Sequence, residues 1–328
     1  MNKTVPERLQ RGDEIRIIAP STTHQIISED IVREAIRNFE KLGLRVTFGK
    51  NIMESSVLMT APIEKRIEDL HEAFLDSNVK GIFTTIGGFT SNQLLKYIDY
   101  DLIRKNPKVF CGYSDITALQ NAIFTKTGLV TYSGPAFSSL GMKKGLDYTL
   151  EYLQKVLMSE EEADLKPSLH WSNDSWYIDQ DNRAFIENEG YGVFQEGSAS
   201  GTIIGGNLST LNLLQGTAFM PSLENTILFL EDDSEVNART FDRDLQSLIH
   251  QPSFSGVKGI VIGRFEKGSN ITEEELRYVI ETKEELRNLP VVVNANFGHT
   301  TPIFTFPIGG RCELKAQLNK VSIKLSFE

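Results

Sequence analysis

Short apolar runs alternate with amphipathic stretches through the first half of the chain, and their spacing assigns an element to each. Glu14–Ala19 (EIRIIA) predicts a buried strand that stops at Pro20. Ser28 then stands as an N-cap, with Glu29 and Asp30 in the first turn, where negative charge meets the positive end of the helix dipole. Val32, Ala35, Ile36, Phe39 and Leu42 follow at helical spacing, and Gly43 ends that helix. Leu44–Phe48 predicts a second strand, and Pro62 opens a helix with Ile63, Ile67, Leu70 and Phe74 on its apolar face. Val79–Thr85 predicts a strand running into Gly87-Gly88, Ser91–Ile98 a helix, and Lys108–Cys111 a further strand. Strand and helix alternating in this way predict an α/β fold with a parallel sheet, in which ligands bind at the carboxyl ends of the strands.

The pattern breaks between about Pro167 and Gly197, where HWSNDSWYIDQDNR is polar and aromatic without periodicity and carries both tryptophans, Trp171 and Trp176. It resumes with Gly201–Gly206, a strand over Asn225–Glu231, a helix ending near His250 and a strand over Val257–Gly263. Thr272 and Glu275 form the capping box of another helix, and Pro290–Asn294 is again strand-like. Val321, Ile323, Leu325 and Phe327 alternate strictly after an Asn319-Lys320 turn, which predicts a terminal β-hairpin. The expected organisation is an N-terminal domain over 1–166, a linker and surface loop over 167–197, and a C-terminal domain over 198–328.

Composition narrows the function classes. A formal net charge of -10 over 328 residues argues against a nucleic-acid partner, because phosphate neutralisation needs a basic face. No apolar run approaches the roughly 20 residues of a spanning helix. The polar start, MNKTVPERLQRGDE, has no secretory signature, so no membrane partner and a cytoplasmic location are expected. Two cysteines, Cys111 and Cys312, and five scattered histidines offer no spacing for a metal site, so neither metal nor cofactor is expected.

Against that background a few residues stand out. Ser114 lies in Gly112-Tyr113-Ser114-Asp115, between an apolar strand and the helical run Ile116–Phe124. A serine at such a turn lifts its hydroxyl out of the sheet and leaves the Asp115 N–H free to hold an oxyanion. Ile116 stands where a nucleophile elbow has its second glycine, and a plain N-cap is the rival reading. Gly87-Gly88 offers a second close-approaching backbone or a simple turn. Glu231 ends a strand and opens an acidic cluster, with Asp232, Asp233 and Glu235 as rivals. His299, between Gly298 and Pro302 just past a strand, is well placed as a general base. His24, His71, His170 and His250 are weaker candidates, and Cys111, inside an apolar strand, is the alternative nucleophile.

Ile86-Gly87-Gly88, GYSDITALQNAI from Gly112, GGNLSTLNLLQGT from Gly205, FLEDDSE from Phe229 and FGHTTP from Phe297 follow in one order over nearly the whole chain. Together they resemble the LD-carboxypeptidase superfamily of serine peptidases, and within it the branch of microcin C immunity (MccF-like) proteins. The resemblance implies an N-terminal Rossmann-like parallel sheet domain plus a smaller C-terminal swivelling β/α domain. A Ser-Glu-His triad between them falls on Ser114, Glu231 and His299, with oxyanion amides at Gly88 and Asp115 and a pocket position at Asn207. It also implies a homodimer without a cofactor.

Two activities divide that superfamily: release of D-alanine from a murein tetrapeptide, and cleavage of the amide joining an aminoacyl or peptidyl group to a modified nucleotide. The second uses a tryptophan-bearing loop that stacks on the base. WSNDSWYIDQDNR occupies that place, with Trp176 the first choice and Trp171 the second. The expected ligand is accordingly a small peptide-nucleotide or a muropeptide. A non-catalytic binder of such conjugates and a cysteine enzyme using Cys111 are the rivals from other classes. The cofactor-free expectation is checked by assay in EDTA: hydrolysis survives the chelator, whereas loss of activity restored by zinc overturns it.

Overall fold

A computed structural model describes residues 3–326; Met1, Asn2, Phe327 and Glu328 lie outside the described residues. The first half runs β1 (Glu14–Ile18), α1 (Glu29–Lys41), β2 (Arg45–Phe48), α2 (Ile63–Leu75), β3 (Val79–Thr84), α3 (Tyr100–Lys105), β4 (Val109–Gly112), α4 (Thr117–Thr127), β5 (Thr131–Ser133) and α5 (Asp147–Leu157). The Ser28 side chain accepts from the Ile31 N–H at the start of α1, and Ile31, Ala35 and Phe39 form its buried stripe. The helix expected over Ser91–Ile98 is only a 3-10 turn over Ser91–Leu94. A turn follows, and Asp99 then starts α3 as its N-cap by accepting from the Leu102 N–H.

The second half runs β6 (Ala163–Asp164), β7 (His170–Trp171), β8 (Ile186–Glu187), β9 (Gly192–Gln195), β10 (Gly197–Asn207), α6 (Leu208–Asn212), β11 (Thr226–Glu231), α7 (Ala238–Ile249), β12 (Val257–Gly263), α8 (Glu273–Glu281), β13 (Val291–Ala295), β14 (Phe306–Ile308), β15 (Arg311–Gln317) and β16 (Lys320–Ser326). The stretch expected as a linker and surface loop contains a short β7–β8 ladder, and its β9 adds antiparallel to β13. The capping box at Thr272 and Glu275 forms as expected. In the terminal hairpin Gln317 pairs with Lys320, so the turn residues are Leu318 and Asn319, one position earlier than the sequence pattern implied.

Two sheets result. The first has the order β14-β5-β4-β3-β1-β2, with β1 to β5 parallel. The second has the order β6-β16-β15-β10-β11-β12-β13-β9, with β10 to β13 parallel. Among the described residues no helix is long and apolar enough to cross a membrane.

The chain crosses between the sheets more than once. β14, which follows almost all of the second sheet in sequence, joins the first sheet antiparallel to β5, and β6 pairs with β16 in the second. Phe306 on β14 packs against Phe229 on β11 with ring centroids 4.8 Å apart, and against Phe297 at 5.1 Å. Phe304 completes this fully buried aromatic knot, 5.4 Å from Phe297. Large-to-small changes in such a core cost roughly 3–5 kcal/mol for phenylalanine. Phe306→Ala is therefore expected to lower unfolding free energy by about that amount in urea denaturation, and a loss within the error of the titration would show that the knot does not tie the sheets.

Candidate active site

β4 ends at Gly112, and Ser114 opens a 3-10 turn that continues into α4. Ser114 has φ +64°, a left-handed conformation that non-glycine residues adopt only at a cost of about 1–3 kcal/mol. Its Oγ lies 2.9 Å from His299 Nε2. On the other side of the ring, His299 Nδ1 is 2.7 Å from Glu231 Oε2, at the end of β11. The Glu231 side chain is 3% exposed and that of His299 17%. A carboxylate at Nδ1 holds the proton there and turns the Nε2 lone pair toward the serine hydroxyl. Gly298 makes the approach possible: its φ is +103°, and a Cβ there would lie 2.7 Å from Glu231 Oε2. The Tyr113 ring packs beside the imidazole with centroids 5.4 Å apart.

Burial alone pulls the His299 imidazole toward its neutral form, but the charge and hydrogen bond of Glu231, with Asp233 and Glu266 behind it, outweigh burial and push it up to about 9. Asp232 is fully buried, with Oδ1 accepting from Asn207 Nδ2 at 3.0 Å and Oδ2 accepting from the Ser209 N–H at 3.3 Å. Burial, then the neighbouring Glu231 charge, push Asp232 up to about 7. Asp233 accepts from the Glu235 N–H, closing a turn, and Glu235 is exposed. Of the four clustered acids, Glu231 is the one that meets His299.

The Asp115 carboxylate accepts from Ser21 Oγ at 2.5 Å and from the Ser91 N–H at 2.8 Å, while Ser91 Oγ donates to the Asp115 carbonyl at 2.6 Å. These bonds pin the segment after β1, the segment after Gly87-Gly88 and the Ser114 turn to one another. A Cβ on Gly87 would stand 3.0 Å from Ser114 Cβ, and one on Gly88 (φ +144°) would collide with the Ser21 and Thr22 hydroxyls. The Gly87 backbone thus passes next to the Ser114 turn, and Gly88 follows it against Ser21 and Thr22. The Asp115 N–H belongs to the first turn of a helix, where amides have no intrahelical acceptor.

The remaining candidates fall elsewhere. Asn207 is buried; its Oδ1 caps α6 by accepting from the Thr210 N–H at 2.9 Å, and its amide donates to Asp232. Trp171 carries the Arg264 guanidinium 4.6 Å from its ring centroid and the Lys267 ammonium at 5.7 Å. Trp176 is half-buried, edge-on to Tyr177 at 6.0 Å. Both tryptophans lie on a segment that pairs with the loop of His299: Ser172 and Thr301 exchange backbone hydrogen bonds of 2.7 and 3.0 Å.

His24 bonds Thr85 in the core, His71 Nε2 accepts from the Asp99 N–H, His250 bonds Gln246 at the end of α7, and His170 sits on β7. Cys111 is fully buried, and burial pushes its thiol up, away from the thiolate a cysteine nucleophile needs. Among the described residues no group of His, Cys, Asp and Glu side chains is arranged to hold a metal ion. Ser21, Asp174 and Arg183, the polar residues that fasten these loops, are not among the sequence candidates; only the nine-residue spacing of Asp174 and Arg183 within the tryptophan segment could have hinted at a pair.

Residues 15–134 match the LD-carboxypeptidase N-terminal domain, and residues 200–314 the LD-carboxypeptidase C-terminal domain. The crystal structure of an MccF-like protein from Bacillus anthracis is 55% identical and superposes with a TM-score of 0.98, over 99% of this chain and 100% of that one. The microcin C7 self-immunity protein MccF of Escherichia coli is 30% identical over 95% of this chain and 93% of its own. A structure of MccF in complex with aspartyl sulfamoyl adenosine gives a TM-score of 0.88 at 28% identity, covering 99% of each chain. A Bacillus subtilis protein assigned as a murein peptide carboxypeptidase is 31% identical over 94% of this chain and 91% of its own.

The electrostatics of the histidine are open to direct measurement. NMR titration of His299 is expected to give a value near 9 in the wild type, and Glu231→Gln, which removes the main raising charge, to bring it down toward or below 6.5. An unmoved titration in the variant would mean that Glu231 does not face the ring in solution.

Proposed function

The chain belongs to the LD-carboxypeptidase family and is a hydrolase of the serine peptidase type, and from that premise we propose that it cleaves an amide with Ser114 as nucleophile, His299 as base and Glu231 as the acid that orients the base. The observation that carries this reading is the unbroken line from Ser114 Oγ through both ring nitrogens of His299 to Glu231 Oε2. Ser114 Oγ attacks the substrate carbonyl carbon as its proton passes to His299 Nε2. The backbone N–H groups of Gly88 and Asp115 hold the oxyanion. Collapse breaks the C–N bond, the leaving amine takes the proton from Nε2, and a water activated by the same nitrogen releases the acyl group. Glu231 keeps Nδ1 protonated throughout and stabilises the imidazolium.

For the substrate, we propose an aminoacyl or peptidyl group joined through an amide to a modified nucleotide, so that hydrolysis detoxifies microcin C-type conjugates. The support is the tryptophan-bearing segment, hydrogen-bonded at Ser172 to the loop that carries His299, which suits a flat base. The bound ligand of MccF is of this class, and the chain resembles MccF along its length. The second reading, release of D-alanine from a murein tetrapeptide, is favoured by the equally similar murein peptide carboxypeptidase relative. Sequence identity does not rank the two.

Three outcomes test these readings. Ser114→Ala is expected to keep its fold by circular dichroism and to lose roughly 10⁴-fold or more in turnover on aminoacyl-sulfamoyl adenosine, followed by mass; undiminished turnover would falsify the nucleophile. Because His299 acts only when neutral and its protonated form persists to about 9, kcat/KM is expected to rise with pH and level off above that point. Trp176→Ala is expected to weaken processing of the nucleotide conjugate by about tenfold to a hundredfold, the worth of one stacked base, and to spare an L,D-tetrapeptide. Equal losses on both substrates would favour the murein activity.

A further inference from the structure

The tryptophan segment is mostly exposed: Ser175, Tyr177, Ile178, Asp179, Asp181 and Asn182 all face solvent. The Arg183 side chain, by contrast, is only 1% exposed. Its Nε lies 2.9 and 2.8 Å from the two oxygens of Asp174, Nη1 donates to the Lys144 carbonyl at 2.7 Å, and Nη2 donates to Thr301 Oγ1 at 3.1 Å. The guanidinium also rests 5.1 Å from the Phe185 ring centroid. Asp174 uses a second bond, from the Ala184 N–H at 2.7 Å, to close its own loop.

This set of partners has a direction. A loop that needed only to be stapled to itself would be served by Asp174 and Arg183 alone. Here one rigid fork also reaches the segment after α4 and β5, through Lys144, and the loop of the base, two residues beyond His299. Gln180 reinforces the first link, its Nε2 donating to the Gly141 carbonyl at 2.8 Å and its Oε1 accepting from the Lys143 N–H at 3.0 Å. A planar guanidinium holds three acceptors in fixed relative positions, which an ammonium on a flexible stem does not. Thr301 in turn exchanges two backbone bonds with Ser172, so the base's loop is gripped from both sides.

We propose that Arg183 is a positioning residue for the hydrolytic site: it holds the loop of His299 in register with Ser114 and ties that register to the docked state of the Trp176 segment. The proposal rests on the assignment of Ser114 and His299 above. Arg183 touches neither residue; it acts through Thr301. Coupling of this kind means that a site with the tryptophan segment displaced has a misplaced base, so substrate engagement and base alignment come together. Displacements on the order of 1 Å at such a site cost about a hundredfold in rate.

The test measures the rate at which a fluorophosphonate probe labels Ser114 in the full-length protein across a pH series, which requires no knowledge of the natural substrate. Ser114→Ala is the control, and absence of labelling in the wild type would count against the nucleophile itself rather than against Arg183. Arg183→Ala is expected to slow labelling by roughly tenfold to a hundredfold, to move its pH dependence downward as His299 loosens from Glu231, and to regain rate when guanidinium ion is added. Thr301→Val, which removes only the bond to Nη2 and a weak contact to the Ser172 carbonyl, keeps the test available should Arg183→Ala fail to fold, and is expected to change rate and pH dependence in the same sense. Arg183→Lys is expected to rescue little. Wild-type labelling rate and unmoved pH dependence in Thr301→Val or in folded Arg183→Ala would overturn the proposal, leaving Arg183 as a staple of its own loop.

Discussion

One imidazole must satisfy two sheets at once. His299 reaches Ser114 on the first sheet at 2.9 Å and Glu231 on the second at 2.7 Å, and neither distance tolerates a shift of more than a few tenths of an ångström without losing a hydrogen bond. Most of the surrounding architecture follows from that demand. Parallel strands in both sheets bring β4 and β11 to an end at the same cleft. Residues in strained or glycine-only conformations then make the last approach: Ser114 leaves β4 in the left-handed region, and Gly298 leaves room for the carboxylate. Such geometry persists only because the cores on both sides over-determine it.

The same demand shapes the electrostatics. A carboxylate nearly sealed from water is costly unless its charge is answered, and the histidine answers it only when protonated. Asp233 and Glu266 lean in the same direction, so the resting site favours the imidazolium. Asp232, the residue just past the strand, would add a further negative charge; burial raises it instead, and it accepts from Asn207 and Ser209 at the mouth of α6. Two neighbouring acids thus have different partners: Glu231, the last residue of β11, meets His299, and Asp232, just past the strand, meets Asn207 and Ser209.

Much of this was legible in the sequence, and the rest was hidden for identifiable reasons. Ser114, Glu231 and His299 each follow an apolar run closely, so their position at strand ends could be inferred without knowing which strands face each other. The choice of Glu231 over Asp232 was legible from the apolar residues up to Leu230; what Asp232 bonds was not. β14 was invisible because three residues containing Pro307 carry no strand signal, and its partner is β5, more than a hundred residues away. α5 has helical spacing at Leu150, Leu153 and Leu157, but it lies in a stretch with no motif to draw notice. Arg183 lies in a polar segment, where only tertiary contacts distinguish a buried guanidinium from an exposed one. Sequence position ranked Trp176 ahead of Trp171 without showing what either ring meets, and the structure separates them by neighbours: Trp171 has its ring faced by Arg264, whereas Trp176 packs against the core with Tyr177 at its edge.

The crossing of β14 into the first sheet has a consequence for how the protein is made. Until Ile308 has been synthesised, the outer edge of β5 has no partner, and an open strand edge is a template for pairing with other chains. A nascent chain emerging from the ribosome therefore carries an unfinished first sheet through nearly its entire synthesis, although every parallel strand of that sheet was completed by Ser133. The first sheet is thus closed at that edge only once the chain has been made through Ile308. Any gene fragment encoding the first half alone yields a sheet with a raw edge, and the missing three residues supplied as part of a separate second-half fragment are what would heal it.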